Sequence, residues 1–454
     1  EKENITPLNP RSAFYGGRTN ACRLFYDITE HPGEEKIHYI DFTSLYPYIN
    51  KYSCFPLAHP LVVIRDFQDI SAYFGVVKCK VLPPRGLYHP VLPNRVGDKL
   101  MFHLCNTCAE NKQQSKCLHD EDQRSFIGTW ATPELQKAVE KGYKIVQMYE
   151  VHHFENKTTD LFADYVNTFL SIKQSASGFP AWVNEAADRT AAEKEYIQRY
   201  YEAEGIKLVP EDIKVNPGMR STAKAMLNSF WGKFGQRDNL TQTEFVTSPA
   251  RFFELIGSKK FEICGLTIIS EEIVEVQYCL QRDFVQESPS TNIYIAIFTT
   301  CYARLKLYDT LDRLGNKALY FDTDSIIYVG DGTNEIEVGD RLGDFTSEIQ
   351  DDYITQFTAA GPKNYSFKCH KGDTVCKVRG FTLNARNQKL INFPIMKAMV
   401  HGQGPEVVDI VNDHKITRDK KTKRILSKRE VKRYRVVYDK RVIQADLDTL
   451  PYGY

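Results

Sequence analysis

The clearest pattern of apolar and polar positions lies between Lys317 and Val329. An apolar run, Ala318-Leu-Tyr-Phe321, leads to Asp322 and Asp324, and a second run, Ile326-Ile-Tyr-Val329, leaves them. Both runs are rich in β-branched and aromatic residues. They predict two short buried strands with the polar centre as the tip of a hairpin. Side chains at i and i+2 share one face of a pleated strand, so Asp322 and Asp324 are expected to point the same way if the pleat continues that far. Two unit charges ~4 Å apart repel by roughly 4 kcal/mol at an effective dielectric of 20, and a divalent metal is the usual way to offset that. The flanking runs are too apolar for a solvated Asp-rich surface turn.

Helical periodicity appears elsewhere. From Asp160 to Lys173, the residues Leu161, Phe162, Tyr165, Val166, Phe169 and Leu170 fall on one face. A charged helical stretch follows to about Gly205. Asn216-Pro217-Gly218 starts another helix, which Gly232 and Gly235 can end. On it Arg220, Lys224, Asn228 and Trp231 share one face. Thr291 to Leu314 is amphipathic, with Ile297, Cys301, Ala303, Leu305 and Tyr308 as core candidates. Thr132-Pro-Glu-Leu opens a further helix by its cap residue and early proline. Strand-like runs such as Phe261-Glu-Ile-Cys occupy 236–290.

Composition narrows the class. The 454 residues are 42% hydrophobic and 26% charged, as in soluble globular proteins, and suffice for several domains. No stretch approaches the ~20 apolar residues of a membrane span. The chain opens on Glu1 without a signal peptide and reads as a fragment. Eleven scattered cysteines fit free thiols in a reducing, intracellular compartment, nucleus or cytoplasm, better than a disulfide framework. The net charge is +1, yet Lys415 to Arg441 carries thirteen Lys/Arg against three Asp/Glu. Such a block suits a polyanion, with a solvated helix or a localisation signal (Lys420-Lys421-Thr-Lys423-Arg424) as alternatives.

Three stretches carry further chemistry. Ile37-His-Tyr-Ile40 predicts a strand ending at Asp41, and the next turn offers backbone N–H groups near Ser44, Leu45 and Tyr46 to a metal-bound triphosphate. Ser12-Ala-Phe14-Tyr15-Gly16-Gly17 is a turn that lets backbone approach a ligand or strand. Cys105, Cys108, Cys117 and His119 form a Cys-x2-Cys pair and a Cys-x-His pair, a set suited to a structural Zn²⁺. Asn106 to Asp122 has few large apolar residues and cannot order itself by burial.

Asp41-Phe-Thr-Ser-Leu-Tyr-Pro47, Lys224-Ala-Met-Leu-Asn228-Ser-Phe-Trp231-Gly232 and Tyr320-Phe-Asp322-Thr-Asp324-Ser325 stand in the order of the three polymerase motifs of family B DNA polymerases, and each resembles its counterpart. Phe14-Tyr-Gly16-Gly17 and Lys363-Asn-Tyr365 resemble elements of the protein-primed branch, and the closing Leu450-Pro-Tyr-Gly-Tyr looks like polymerases of Polinton/Maverick elements and related viruses. Two departures are Phe14 and Trp231, where that branch usually has Tyr.

The resemblance implies an α+β right-hand fold: palm (1–60 and 291–384), fingers (156–235), thumb (385–454) and two insertions (61–155 and 236–290). It implies DNA-directed DNA polymerase activity as a monomer on primer-template DNA and deoxynucleoside triphosphates, with a priming protein as a further partner. Asp41, Asp324 and Phe42 become ligands of two Mg²⁺ or Mn²⁺ ions, with Asp322 in support. Lys173, Arg220 and Lys224, with Ser44, Leu45, Tyr46, Asn228 and Trp231, become the nucleotide site, and Tyr46 the gate against ribose. Gly16, Gly17, Lys363, Tyr365, Lys377 and Arg379 become DNA contacts. Only 40 residues precede Asp41, so no proofreading exonuclease is expected in this chain. Two other readings are a decayed polymerase that only binds nucleic acid, disfavoured by the retained carboxylates and Lys224, and a polymerase using RNA templates or ribonucleotides, the latter disfavoured by Tyr46.

Overall fold

The computed structural model describes residues 6–31, 33–286, 288–419, 422 and 424–454. At its centre is a nine-stranded antiparallel sheet. Its strands are β1 (Thr19–Ala21), β2 (Phe25–Asp27), β3 (Lys36–Phe42), β4 (Ala318–Asp322), β5 (Ser325–Gly330), β6 (Phe345–Ser347), β7 (Ile354–Gly361), β8 (Asn364–Cys369) and β9 (Thr374–Val378). They run in the order β1-β4-β5-β3-β7-β8-β9, with β6 pairing β3 and β2 pairing β7. The helices that matter here are α1 (Leu45–Tyr52), α2 (Thr132–Glu140), α3 (Ala163–Ser175), α4 (Arg189–Glu204), α5 (Pro217–Phe234) and α6 (Ile293–Leu314).

β5 shows why the central runs are apolar throughout. Ile326 and Tyr328 join a cluster with Ile297, Phe298 and Leu307 of α6, while Ile327 and Val329 join Tyr39, Phe357 and Tyr365 on the other side. Both faces are covered, so the usual alternation disappears from the sequence. Helix α6 is anchored in turn by Arg304, which is 4% exposed. Its guanidinium makes two 2.8 Å bonds to Glu134 of α2 and donates to the Tyr15 carbonyl at 2.8 Å.

Residues 61–155 form a four-stranded sheet, Leu61–Val63, Lys144–His153, Gly75–Leu82 and Phe126–Ala131 in spatial order. Its core of Val77, Cys79, Trp130 and Leu135 reaches Tyr308 of α6. Thr132 is not the cap of α2 but its first residue, because its hydroxyl accepts from the Gly75 N–H at 3.0 Å. In the 156–235 region, α3 packs on α5 through Val166, Leu170 and Leu227. Asn216 caps α5 as its sequence suggests. A buried Lys51–Glu204 pair at 3.2 Å ties the end of α4 to α1. Residues 236–290 hold a three-stranded sheet and the helix Pro249–Gly257.

The basic block forms a hairpin, β10 (Val408–Arg418) and β11 (Ile425–Tyr434), rather than a helix. Arg418, the last residue of β10, lies over Phe245 of the 236–290 sheet at 5.3 Å. Arg424, Lys428, Arg433 and Arg435 are exposed, but Arg441 is fully buried and donates to Thr449. Arg441 therefore leaves the proposed phosphate-contacting set. Lys420, Lys421 and Lys423 lie outside the described residues. Among the described residues, no helix is long and apolar enough to cross a membrane.

Removing one partner of a buried ion pair strands the other charge. Glu134→Ala is expected to destabilise the protein by about 3–5 kcal/mol, seen as a lower urea midpoint; an unchanged midpoint would remove Arg304 from the anchoring of α6.

Candidate active site

The β4–β5 hairpin turns through Thr323 and Asp324, with Asp322 and Ser325 as the closing pair. Thr323 sits at φ 59, the left-handed conformation that tight hairpin turns demand. The pleat therefore stops at Asp322, and the two carboxylates take different partners instead of sharing a strand face, which corrects the i, i+2 expectation. Asp322 accepts from Thr19 Oγ1 at 2.7 Å and, through both oxygens, from Lys363 Nζ at 2.7 Å. Asp324 is set beside Asp41, because β5 pairs β3 with Ser325 opposite Asp41 and the Phe42 N–H donates to the Asp324 carbonyl at 2.7 Å.

The electrostatics follow from this crowding. Burial, then Asp324 and Glu348, raise the Asp41 carboxyl to about 7, against the pull of Lys224 and Lys377. Burial and then Asp322 raise Asp324 as well, with Lys363 opposing. Carboxyls that resist ionising together are an oxygen donor set for a hard divalent cation. The Phe42 ring is buried and stacked on Phe345 at 3.8 Å, so only its backbone carbonyl can join that set. Glu348 is a further carboxylate near the pair that sequence reasoning missed, and its charge adds to the rise of both Asp41 and Asp324. No motif surrounds it, and it reaches the site through its N–H bond to the Tyr39 carbonyl at 2.8 Å.

A cationic flank faces the carboxylates. Arg220, Lys224 and Asn228 are exposed on one face of α5, and Lys224 is close enough to act on Asp41. Burial, then Arg220 and Lys224, lower the ammonium of Lys173 on α3. Arg220 Nε donates to Ser177 Oγ at 3.1 Å. Ser44, at φ 56, opens α1 without a side-chain cap bond. Leu45 is buried and can offer only backbone. Tyr46 is half-buried and stacks on Trp231 at 4.6 Å, which joins the first motif to the second.

The residues assigned to DNA divide. Lys377 and Arg379 are exposed, and Lys363 reaches Asp322. Tyr365 is 6% exposed with its hydroxyl 2.9 Å from that of Tyr39, so it supports the sheet and does not line its surface. Gly16 has open space around its Cα, whereas a Cβ on Gly17 would lie 2.4 Å from Thr323 Oγ1. Gly17 is thus required by the carboxylate turn itself. Cys105, Cys108, Cys117 and His119 converge outside this centre, with their ligand atoms all within 4.8 Å of one another.

Known proteins share this architecture. Across 94% of the chain the fold superposes on Phi29 DNA polymerase complexed with primer-template DNA and incoming nucleotide, at TM-score 0.56 and 14% identity, covering 62% of that chain. An orthorhombic crystal form of Phi29 DNA polymerase gives TM-score 0.58 at 15% identity over the same share of each chain. A probable DNA polymerase of Podospora anserina is 24% identical over 378 residues, 82% of this chain and 27% of its own length. One from Agaricus bitorquis is 22% identical over 351 residues, 70% of this chain and 35% of its own. The chain thus spans about a quarter to a third of the curated relatives it matches. The sequence pattern of the family "DNA polymerase type B, organellar and viral" matches residues 9–183 and 188–315, which hold the first two motifs and the helix leading into the third, and the chain belongs to that family.

Proposed function

We propose that this chain is a DNA-directed DNA polymerase that adds deoxynucleotides to a primer 3′-hydroxyl, or to a protein hydroxyl in a protein-primed start. The observation that carries the reading is the pairing of β3 with β5, which sets Asp41 beside Asp324 within reach of Lys224 on α5. Two Mg²⁺ ions, replaceable by Mn²⁺, on Asp41, Asp324 and the Phe42 carbonyl would activate the attacking hydroxyl and take up charge on the departing pyrophosphate. Lys224, Arg220 and Lys173 neutralise the triphosphate, and Ser44 to Tyr46 offer it backbone N–H groups. The Tyr46 ring, backed by Trp231, closes the side of the pocket where a ribose 2′-hydroxyl would sit. Lys363 holds Asp322 and, with Lys377 and Arg379, receives the primer strand. The partners in this reading are primer-template DNA, deoxynucleoside triphosphates and a priming protein on the 61–155 region. One structural Zn²⁺ on Cys105, Cys108, Cys117 and His119 completes it.

Primer extension with Mg²⁺ tests the activity. Asp41→Ala and Asp324→Ala are each expected to abolish extension while leaving DNA affinity nearly unchanged; activity within about tenfold of wild type in either variant would sink the assignment.

The Asp41 carboxyl at about 7 lies above its unfolded value. In the metal-free protein its protonated form therefore favours the fold, fully so at low pH, and that contribution is lost as pH rises through about 7. Mg²⁺ must displace this proton, so calorimetric Mg²⁺ affinity without DNA should fall about fivefold from pH 7 to pH 6. A flat profile would contradict it.

Every DNA phosphate that a side chain ceases to neutralise lowers the salt slope of binding by roughly 0.9. Replacing Arg424, Lys428, Arg433 and Arg435 by Gln should flatten log affinity against log salt by about three to four units; an unaltered slope would exclude the hairpin as a DNA grip.

A further inference from the structure

Residues 99–119 and 438–454 hold one another outside the acidic centre. The sulfurs of Cys105, Cys108 and Cys117 lie 3.4, 3.2 and 3.6 Å from His119 Nδ1. A tetrahedral Zn²⁺ with bonds of about 2.3 Å to sulfur and about 2.0 Å to nitrogen sets sulfur–nitrogen edges of about 3.5 Å. The three cysteines are buried, the Cys108 N–H points to Cys105 Sγ at 3.5 Å, and Arg85 donates to the His119 carbonyl at 2.8 Å. Leu118, between the last two ligands, is 85% exposed, so the large aliphatic side chain of this loop contributes no burial to its order.

A separate set of bonds shows what the loop holds. Tyr452 is fully buried in one cluster with Cys105, Cys108 and Cys117, and its carbonyl accepts from the Leu104 N–H at 2.7 Å. Gly453 has φ 86, and a Cβ there would lie 2.4 Å from Cys105 Cβ. Gln114, between the ligands, accepts from the Ile443 N–H at 2.9 Å. Asp439 pairs with Lys99 and, at 2.8 Å, with Lys112. The other side of the same segment is bonded to the central sheet. Tyr438 and Thr449 both donate to the Ala21 carbonyl, at 2.6 and 2.8 Å, and Arg23 pairs with Asp448 at 2.6 Å. This segment continues directly from β11 of the basic hairpin.

We propose that the Cys105–His119 zinc site is a clasp: by ordering its loop, the metal closes residues 438–454 as a strap between that loop and β1, and so fixes the base of the basic hairpin. The clasp rests on the zinc assignment, which stands even where the clasp fails. Without the metal the loop has too little apolar surface to hold its shape, and a structural zinc supplies what burial does not.

Metal analysis and hydrogen exchange of the full chain test it. The purified protein should hold about one zinc, and chelation should speed amide exchange in 438–454 by at least about tenfold, restored by zinc addition. Unchanged exchange after the zinc has been removed overturns the clasp and leaves the zinc assignment standing. Less than about a tenth of an equivalent of zinc in chelator-free preparations overturns both. Gly453→Val keeps all four ligands but pushes a side chain onto Cys105. It should release zinc to a chromogenic chelator about tenfold faster, and an unchanged release rate overturns the coupling.

Discussion

Repulsion between the half-buried carboxylates of Asp41 and Asp324 governs how the elements around them are arranged. Burial raises both carboxyls, Asp324 and Glu348 raise Asp41 further, and Asp322 and Glu348 raise Asp324 further, so the backbone must hold the pair together. The register of β3 against β5, the Phe42 N–H bond to the Asp324 carbonyl and the Thr323 N–H bond to the Arg18 carbonyl fix the turn before any cation arrives. Charge compensation then comes from elements far apart in sequence: Lys224 from α5, Lys377 from β9, and Lys363 through Asp322. Fixed dipoles and charges around a preformed centre are what phosphoryl transfer requires, since that chemistry depends on positioning more than on covalent help from the protein.

The mounting of this centre is equally distributed. α6 covers one face of β4 and β5, and Arg304 locks α6 to α2 and to the Tyr15-Gly16 backbone. Gly17 lets that same turn lie against Thr323. A single path thus joins the 61–155 sheet, the paired glycines and the carboxylate hairpin. The strap from Tyr438 to Tyr454 adds a second path, from the hairpin β10–β11 to β1, whose neighbour β4 carries Asp322.

Much of this was legible in the sequence, for physical reasons that differ from part to part. The hairpin was readable because strands buried on both faces become unbroken apolar runs. α5 was readable because Asn216 and Pro217 mark its start and its polar face repeats with helical spacing. The division of labour between Asp322 and Asp324 was not, since it turns on one left-handed residue, Thr323, and on Lys363, 41 positions away. Glu348 carried no motif. Tyr365 sits in a motif-like triplet yet is buried, because only pairing of β8 with β7 and β9 decides which way it faces. Arg441 was counted with the basic block because charge runs do not reveal where a chain turns back into the core. Cys105, Cys108, Cys117 and His119 were legible by residue type alone, and the structure adds their convergence and the strap packed upon them.

In the proposed reaction Asp41 and Asp324 together would hold a pair of metal ions over which nucleotidyl transfer occurs. Electron paramagnetic resonance of the protein with Mn²⁺, primer-template DNA and a non-hydrolysable deoxynucleoside triphosphate reads that arrangement directly. Two Mn²⁺ ions per chain about 3.5–4 Å apart, spin-coupled in the native protein and reduced to isolated ions in Asp41→Asn, are the predicted result. Uncoupled Mn²⁺ in the native protein, or a coupled pair that survives Asp41→Asn, would contradict it.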